Sequence, residues 1–115
     1  FPRIAGPDIV FHQADWNELK PGFQNIPEPP ATAPIVQPDV LLVPLIAVTL
    51  AGVRLGQGRG YYDRALAALR RRQPVLAIGL AWECQIAPAL PADAWDMPLD
   101  LIATPQRLVD CRKQR

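Results

Sequence analysis

Apolar residues fall into two rhythms along this chain. Val40-Leu41-Leu42-Val43 is an unbroken apolar run between Asp39 and Pro44, the pattern of a strand buried on both faces. Val75 to Ala81 repeats it, and Leu101 to Thr104 makes a third, shorter run. Between the first two, Tyr62, Leu66 and Leu69 stand at i, i+4 and i+7 with Ala65 and Ala68 beside them. That spacing predicts a helix over Tyr61–Arg72, stopped by Pro74. Strand, loop, helix, strand is a βαβ unit, which closes right-handed with parallel strands. The expected class is α/β with a mostly parallel sheet.

Upstream the signal thins. Ile9-Val10-Phe11 is a short run of strand formers, and His12 after it is expected to be a packed or solvated side chain. From Pro21 to Pro38 prolines recur without periodicity, so this stretch is expected to be an extended connection within a single domain spanning residues 1–115.

Composition changes this picture little but excludes much. Leu, Ile, Val and Phe make up 33 of the 115 residues, which excludes a disordered chain. The net charge is +1 and the pI about 8.0, so no strongly basic nucleic-acid module is present. A reading as an RNA binder through Arg70–Arg72 and the basic tail at Arg112–Arg115 is weakened by the same balance. No run reaches the ~20 apolar residues of a membrane span, and no charged leader precedes an apolar run. A soluble, cytoplasmic protein with no membrane partner is expected. Cys84 and Cys111 form no C-x-x-C pair and there is one histidine. Neither a disulfide framework nor a zinc site is expected. Cys84 is expected to be packed and Cys111 to lie near the tail. Trp16, Trp82 and Trp95 are expected in core or rim packing, although Trp82 follows a strand end, where α/β proteins bind ligands.

The chemistry concentrates in Arg54-Leu55-Gly56-Gln57-Gly58-Arg59-Gly60-Tyr61-Tyr62-Asp63-Arg64. Alternate glycines let backbone N–H groups approach an anion closely. The helix beginning near Tyr61 aims its positive end at the same place. Arg54 and Arg59 add charge that can pair with phosphate oxygens. The spacing is neither a Walker A loop nor a dinucleotide fingerprint, so a plain strand-to-helix turn stays open as the simpler reading. Asp63 in the first helical turn either complements the dipole or ligates Mg²⁺ beside phosphates. Asp96 and Asp100 are its candidate partners or solvated turn residues. Arg70–Arg72 are expected to satisfy the last helical carbonyls.

These residues, with Val40–Pro44 before them, Ile26-Pro27-Glu28-Pro29 upstream, and Ile78–Ala81, Gln85, Leu90-Pro91, Asp96–Asp100 and Thr104 downstream, strongly resemble the 5-formyltetrahydrofolate cyclo-ligase family. The resemblance covers nearly the whole chain. It implies a Rossmann-like three-layer fold and an enzyme that uses ATP as co-substrate and Mg²⁺ to convert 5-formyltetrahydrofolate into 5,10-methenyltetrahydrofolate, ADP and phosphate. It implies that Arg54, Leu55, Gly56, Gln57, Gly58, Arg59, Gly60, Tyr61 and Tyr62 line the ATP phosphates. Gln57 to Tyr61 would also face the folate, with Arg59 and Tyr61 catalytic and Asp63 and Asp96 holding Mg²⁺. The chain departs from the family at Leu45–Thr49, where G-x-A-F-D is usual. It also opens on Phe1 without the family's N-terminal basic helix and acidic strand-loop, so it is expected to be the C-terminal portion of the fold. The alternative is a shortened, non-catalytic member that binds nucleotide or folate. An incomplete fold is further expected to self-associate.

Overall fold

The computed structural model describes every residue except Gln57. The chain divides into two compact units, Phe1–Pro38 and Asp39–Arg115.

In the first unit, β1 (Pro2–Ala5) and β2 (Asp8–Phe11) form an antiparallel hairpin with Ala5 opposite Asp8. The turn between them is closed by Gly6 and Pro7, with Gly6 at φ +62°, a left-handed value that glycine adopts without strain. β3 (Lys20–Pro21) pairs with β4 (Pro27–Glu28) across a 3₁₀ turn at Phe23–Asn25. The Glu28 carboxylate is buried and ties the two hairpins. Its Oε2 accepts the Ile4 N–H at 3.0 Å, and Arg3 stands 3.6 Å from Oε1 while donating to the Pro29 carbonyl. The proline-rich stretch is therefore more structured than a bare connection. It begins in the second hairpin, and its later part runs beside β2, with Val36 N–H donating to Phe11 O and Gln13 N–H to Pro34 O. His12 is buried, its Nδ1 2.8 Å from the Ala33 carbonyl.

The second unit holds the sheet. β5 (Val40–Val43), β8 (Leu76–Leu80) and β9 (Leu101–Ala103) are mutually parallel, and β10 (Leu108–Asp110) adds antiparallel at one edge, in the order β10-β9-β8-β5. β6 (Ala47–Val48) and β7 (Arg54–Leu55) form a separate two-residue hairpin ladder. α1 (Tyr61–Arg70) is the α-helix among the described residues and connects β5 and β7 to β8. Its stripe of Leu66 and Leu69 is buried, together with Leu41 and Val43 of β5, Ala77 of β8, Ile102 of β9 and Val109 of β10. These residues share one sheet face by register. Each large one contributes roughly 1.5–3 kcal/mol of apolar burial. Gly79 lies on the same face, where any side chain would collide with Leu99 and Leu45.

The opposite face differs from expectation. β5 was expected to be buried on both sides, yet Val40 and Leu42 are 51% and 55% exposed and Leu80 is exposed as well. Among the described residues α1 is the α-helix that accompanies this sheet. Among the described residues β5 is an edge strand of this sheet, paired with β8 alone. The cysteines exchange their expected places. Cys84 lies exposed in the 3₁₀ turn Glu83–Gln85, whereas Cys111 is fully buried, its N–H bonded to the Asp100 carbonyl.

Asp100 binds three parts of this unit together. Its Oδ2 accepts from Arg70 Nη2 at the end of α1 and from the Ala77 N–H of β8, both at 2.8 Å. Arg115 reaches back to within 4.0 Å of Oδ1 and donates to the Ala51 and Leu99 carbonyls. Asp100→Ala leaves Arg70 Nη2 and the Ala77 N–H without their acceptor. It is expected to cost about 2–3 kcal/mol, read as a lower urea midpoint at unchanged slope. Thiol labelling of the native protein is expected to modify Cys84 quickly and Cys111 only after denaturant is added.

Candidate functional site

The glycine-rich loop leaves the sheet at the carboxyl ends of the parallel strands. The hairpin β6–β7 follows β5, and the chain then passes through Gly56, Gly58 and Gly60 into α1. Gly60 is the N-cap of α1 at φ +70°, and Gly58 lies at φ +84°. A side chain at either would be held in a left-handed conformation, at roughly 1–2 kcal/mol each. Gly60 brings no side chain to cap the helix, and the first N–H groups of a helix are donors that an anion can take.

Arg54 governs the loop's shape. Its side chain is only 8% exposed and sits 3.5 Å from Asp63 Oδ2. Nη1 donates to the Pro44 carbonyl at 2.9 Å, at the end of β5. The same nitrogen occupies the space that a Gly56 side chain would need. Asp63 Oδ1 in turn accepts the Met97 N–H at 3.1 Å. One guanidinium and one carboxylate thus connect the end of β5, the glycine loop, the first turn of α1 and the 96–97 segment. Arg54 Nε is buried without a partner among the described residues.

Arg59 is exposed in the loop, and its carbonyl accepts from Arg64 Nη1 at 2.9 Å. Arg64 also lies over the Tyr61 ring at 5.5 Å. Tyr62 is partly buried, and this burial raises its hydroxyl above the ordinary tyrosine range, with the nearby Arg54 charge pulling the other way.

Most residues singled out from sequence therefore share one place. Arg54, Leu55, Gly56, Gly58, Arg59, Gly60, Tyr61, Tyr62 and Asp63 form the loop and helix start, while Gln57 lies outside the described residues. Asp96, distant in sequence, comes close because its neighbour Met97 donates to Asp63. Its Oδ2 accepts the Asp93 N–H at 2.8 Å, a local turn contact. Asp100 belongs instead to the structural node described above. Gln85 had no role assigned by residue chemistry. Its Nε2 donates to the Leu45 and Ile46 carbonyls, at 3.3 and 3.1 Å, and its Oε1 accepts the Trp82 N–H at 2.8 Å. The departure at Leu45–Thr49 is thus held largely through backbone groups. Trp16, Trp82 and Trp95 are all exposed, against the expectation of packing.

Fold and site define an α/β chain that presents a glycine-rich, arginine-flanked strand-to-helix loop at the carboxyl end of a parallel sheet. Residues 4–105 match the model of the 5-formyltetrahydrofolate cyclo-ligase family, and the chain belongs to that family. It is 42% identical over 113 residues to the 5-formyltetrahydrofolate cyclo-ligase of Escherichia coli (strain K12), covering 93% of this chain and 60% of the relative. The corresponding Haemophilus influenzae protein is 41% identical over 95 residues, covering 81% and 47%. Among solved structures, the Aquifex aeolicus 5,10-methenyltetrahydrofolate synthetase superposes with a TM-score of 0.79 at 36% identity, over 99% of this chain and 58% of that one. The chain thus spans 60% of the Escherichia coli relative and 47% of the Haemophilus influenzae one.

The Tyr62 shift gives a pH signature. Above about pH 10 the unfolded chain releases the tyrosine proton while the folded chain still holds it, so stability falls as pH rises through that range. In a Tyr61→Phe background, the ultraviolet phenolate signal is expected to rise later in the native protein than in denaturant.

Proposed function

We propose that this protein takes part in the ATP- and Mg²⁺-dependent cyclisation of 5-formyltetrahydrofolate to 5,10-methenyltetrahydrofolate, with release of ADP and phosphate. The observation that carries this reading is the loop from Arg54 to Asp63, which sets helix donors and an exposed arginine at one end of the sheet in a chain of this family. Phosphoryl transfer asks mainly for positioning and charge neutralisation. In this reading the loop N–H groups and Arg59 receive the phosphates, and Gln57 to Tyr61 face the folate. The formyl oxygen takes the γ-phosphoryl group, and N10 attacks the activated carbon with loss of phosphate. Arg59 and Tyr61 are the catalytic candidates. Arg54 contributes through the loop it holds, since its guanidinium is buried and engaged.

The carboxylates suit Mg²⁺. Among the described residues no cluster of three or more His, Cys, Asp or Glu side chains is built to hold a metal alone. Mg²⁺ beside phosphates needs only one or two carboxylates, the rest being phosphate and water. Asp63 and Asp96 meet that need, because each carboxylate oxygen keeps a lone pair beyond the bond it already accepts. When bound there, the ion would neutralise phosphate charge. A cytoplasmic location fits this substrate chemistry.

For residues 1–115 taken alone, the second reading is binding of nucleotide or folate without turnover. Positioning two substrates supplies roughly 7–11 kcal/mol of catalysis, and a partly built site forfeits much of it. Residues 1–115 alone are therefore expected to bind Mg–nucleotide yet turn over far more slowly than a full-length relative. The test adds Mg–ATP and 5-formyltetrahydrofolate and follows the near-ultraviolet absorbance of the methenyl product. Turnover equal to a full-length relative would reject the partly built site. The open face at Val40, Leu42 and Leu80 and the β5 edge also favour self-association of these residues. Sedimentation is expected to show a mass that rises with concentration.

In whichever form turns over, Arg59→Ala is expected to lower kcat by about 10²–10³ with little change in folate affinity. Asp63→Asn or Asp96→Asn is expected to raise the Mg²⁺ concentration needed for activity. Asp100→Asn is expected to act on stability instead. If both substitutions only lower the Tm, the two carboxylates serve the fold and not the ion.

A further inference from the structure

Trp82 is 66% exposed, in a protein whose tryptophans would ordinarily be largely buried. Its backbone is nevertheless firmly held. Trp82 N–H donates to Gln85 Oε1 at 2.8 Å, and its carbonyl accepts the Gln85 N–H at 3.0 Å. Just before it, Ala81 N–H donates to the Ala103 carbonyl at 3.0 Å. Gln85 then spans to the Leu45 and Ile46 carbonyls, and Ile46 N–H donates to the Leu55 carbonyl at 2.7 Å. Ala87 N–H adds a bond to Val48 O at 2.8 Å. Hydrogen bonds therefore link the Trp82 turn to the strand that enters the glycine loop. Both leave parallel neighbouring strands, β8 and β5, at their carboxyl ends, the edge where open α/β sheets bind ligands.

The other exposed tryptophans lack this setting. Trp16 lies in the first unit with its ring 6.1 Å from Phe1, and Trp95 sits in the irregular 91–98 segment. A fixed backbone carrying an exposed indole at the same carboxyl edge of the sheet as the glycine loop is a binding arrangement. The loop takes the charged part of a ligand, and the indole offers its face to a planar ring.

We propose that Trp82 is a binding residue on which the planar heterocycle of the substrate, a purine base or a pterin, stacks while the glycine loop holds the anionic part. Gln85 is its positioning residue. The proposal rests on the reading of the loop given above and names the group that recognises the ring. Indole stacking is tolerant of ring identity, so Trp82 selects for a flat heterocycle and not for a particular pattern of hydrogen bonds.

The test uses the 115-residue chain with Trp16 and Trp95 changed to Phe, leaving Trp82 as the tryptophan reporter. Three probes are titrated by calorimetry and by fluorescence: Mg–ATP, 5-formyltetrahydrofolate, and inorganic tripolyphosphate, which carries the charge of ATP without a ring. ATP, the folate or both are expected to change Trp82 emission, whereas tripolyphosphate binds without doing so. Trp82→Ala is expected to weaken the ring-bearing ligand about 5- to 100-fold and leave tripolyphosphate unchanged. Trp82→Phe should recover most of the loss. A loss for ATP alone assigns the base, and a loss for the folate alone assigns the pterin. Equal affinity of parent and Trp82→Ala for both ring-bearing ligands overturns the proposal, as does tripolyphosphate binding with no binding of either ring. Failure of tripolyphosphate to bind overturns the loop reading itself, and Trp82 as a platform with it. Circular dichroism of Trp82→Ala checks the fold, which loss of an exposed ring is expected to leave intact.

Discussion

The buried guanidinium of Arg54 is the constraint on which this site depends. A charge withdrawn from water must be matched by acceptors, and here they come from two separate elements, the Pro44 carbonyl and the Asp63 carboxylate. Meeting that demand brings the end of β5 against the first turn of α1 and draws the glycine loop around the arginine. Gly56 is glycine because the guanidinium fills the space beside it. Asp63 completes the linkage by holding the Met97 N–H, which brings Asp96 to the same neighbourhood. A Lys at position 54 would carry the charge but not the planar fork that reaches both acceptors. The loop's alternate glycines and its arginine therefore form one device: flexible backbone folded around a rigid cation.

Asp100 performs the corresponding task for the rest of the second unit. It collects the end of α1, the start of β8 and the C-terminal arginine onto one carboxylate. Asp96 and Asp100, four residues apart, thus divide between two kinds of work. The first has an exposed turn contact, whereas the second is committed to its partners. Nothing in their spacing distinguishes them. The difference lies in what α1 presents, Asp63 at its start and Arg70 at its end.

The parallel core was legible from sequence because its signals are local. Val40–Val43 is a strand as expected, the Tyr62/Leu66/Leu69 stripe faces the core, and β8 and β9 follow in parallel order. Elements whose pairing is decided elsewhere in the chain were not legible. β10 is three residues long and gains its identity only by lying against β9. The short ladders β3–β4 and β6–β7 have too few residues for any periodicity. Burial was misjudged for a related reason. An apolar run such as Val40–Val43 reports that both faces can be covered, not that both are, and here alternate residues stay open. Cysteine burial followed the same logic: Cys111 is buried because its backbone bonds to Asp100 and it packs near Gly52, neither of which is near it in sequence.

For the site, sequence reading located the chemistry but not the division of labour. Alternate glycines, a following helix and flanking arginines are all local signals, and the described residues among them do come together at one strand-to-helix loop. Arg54 and Arg59 look equivalent as letters, yet one is buried in the scaffold while the other is exposed. That asymmetry has a physical origin. Arg54 lies on β7, whose pairing with β6 fixes its backbone and turns its side chain toward Pro44, whereas Arg59 lies between Gly58 and Gly60, outside any strand. Order and exposure are thereby separated along a few residues. The strand supplies a cation that shapes the loop, and the loop carries a second cation that is exposed. Trp82 and Gln85 repeat the same separation across the sheet edge, with the amide bonded into the backbone and the indole left exposed.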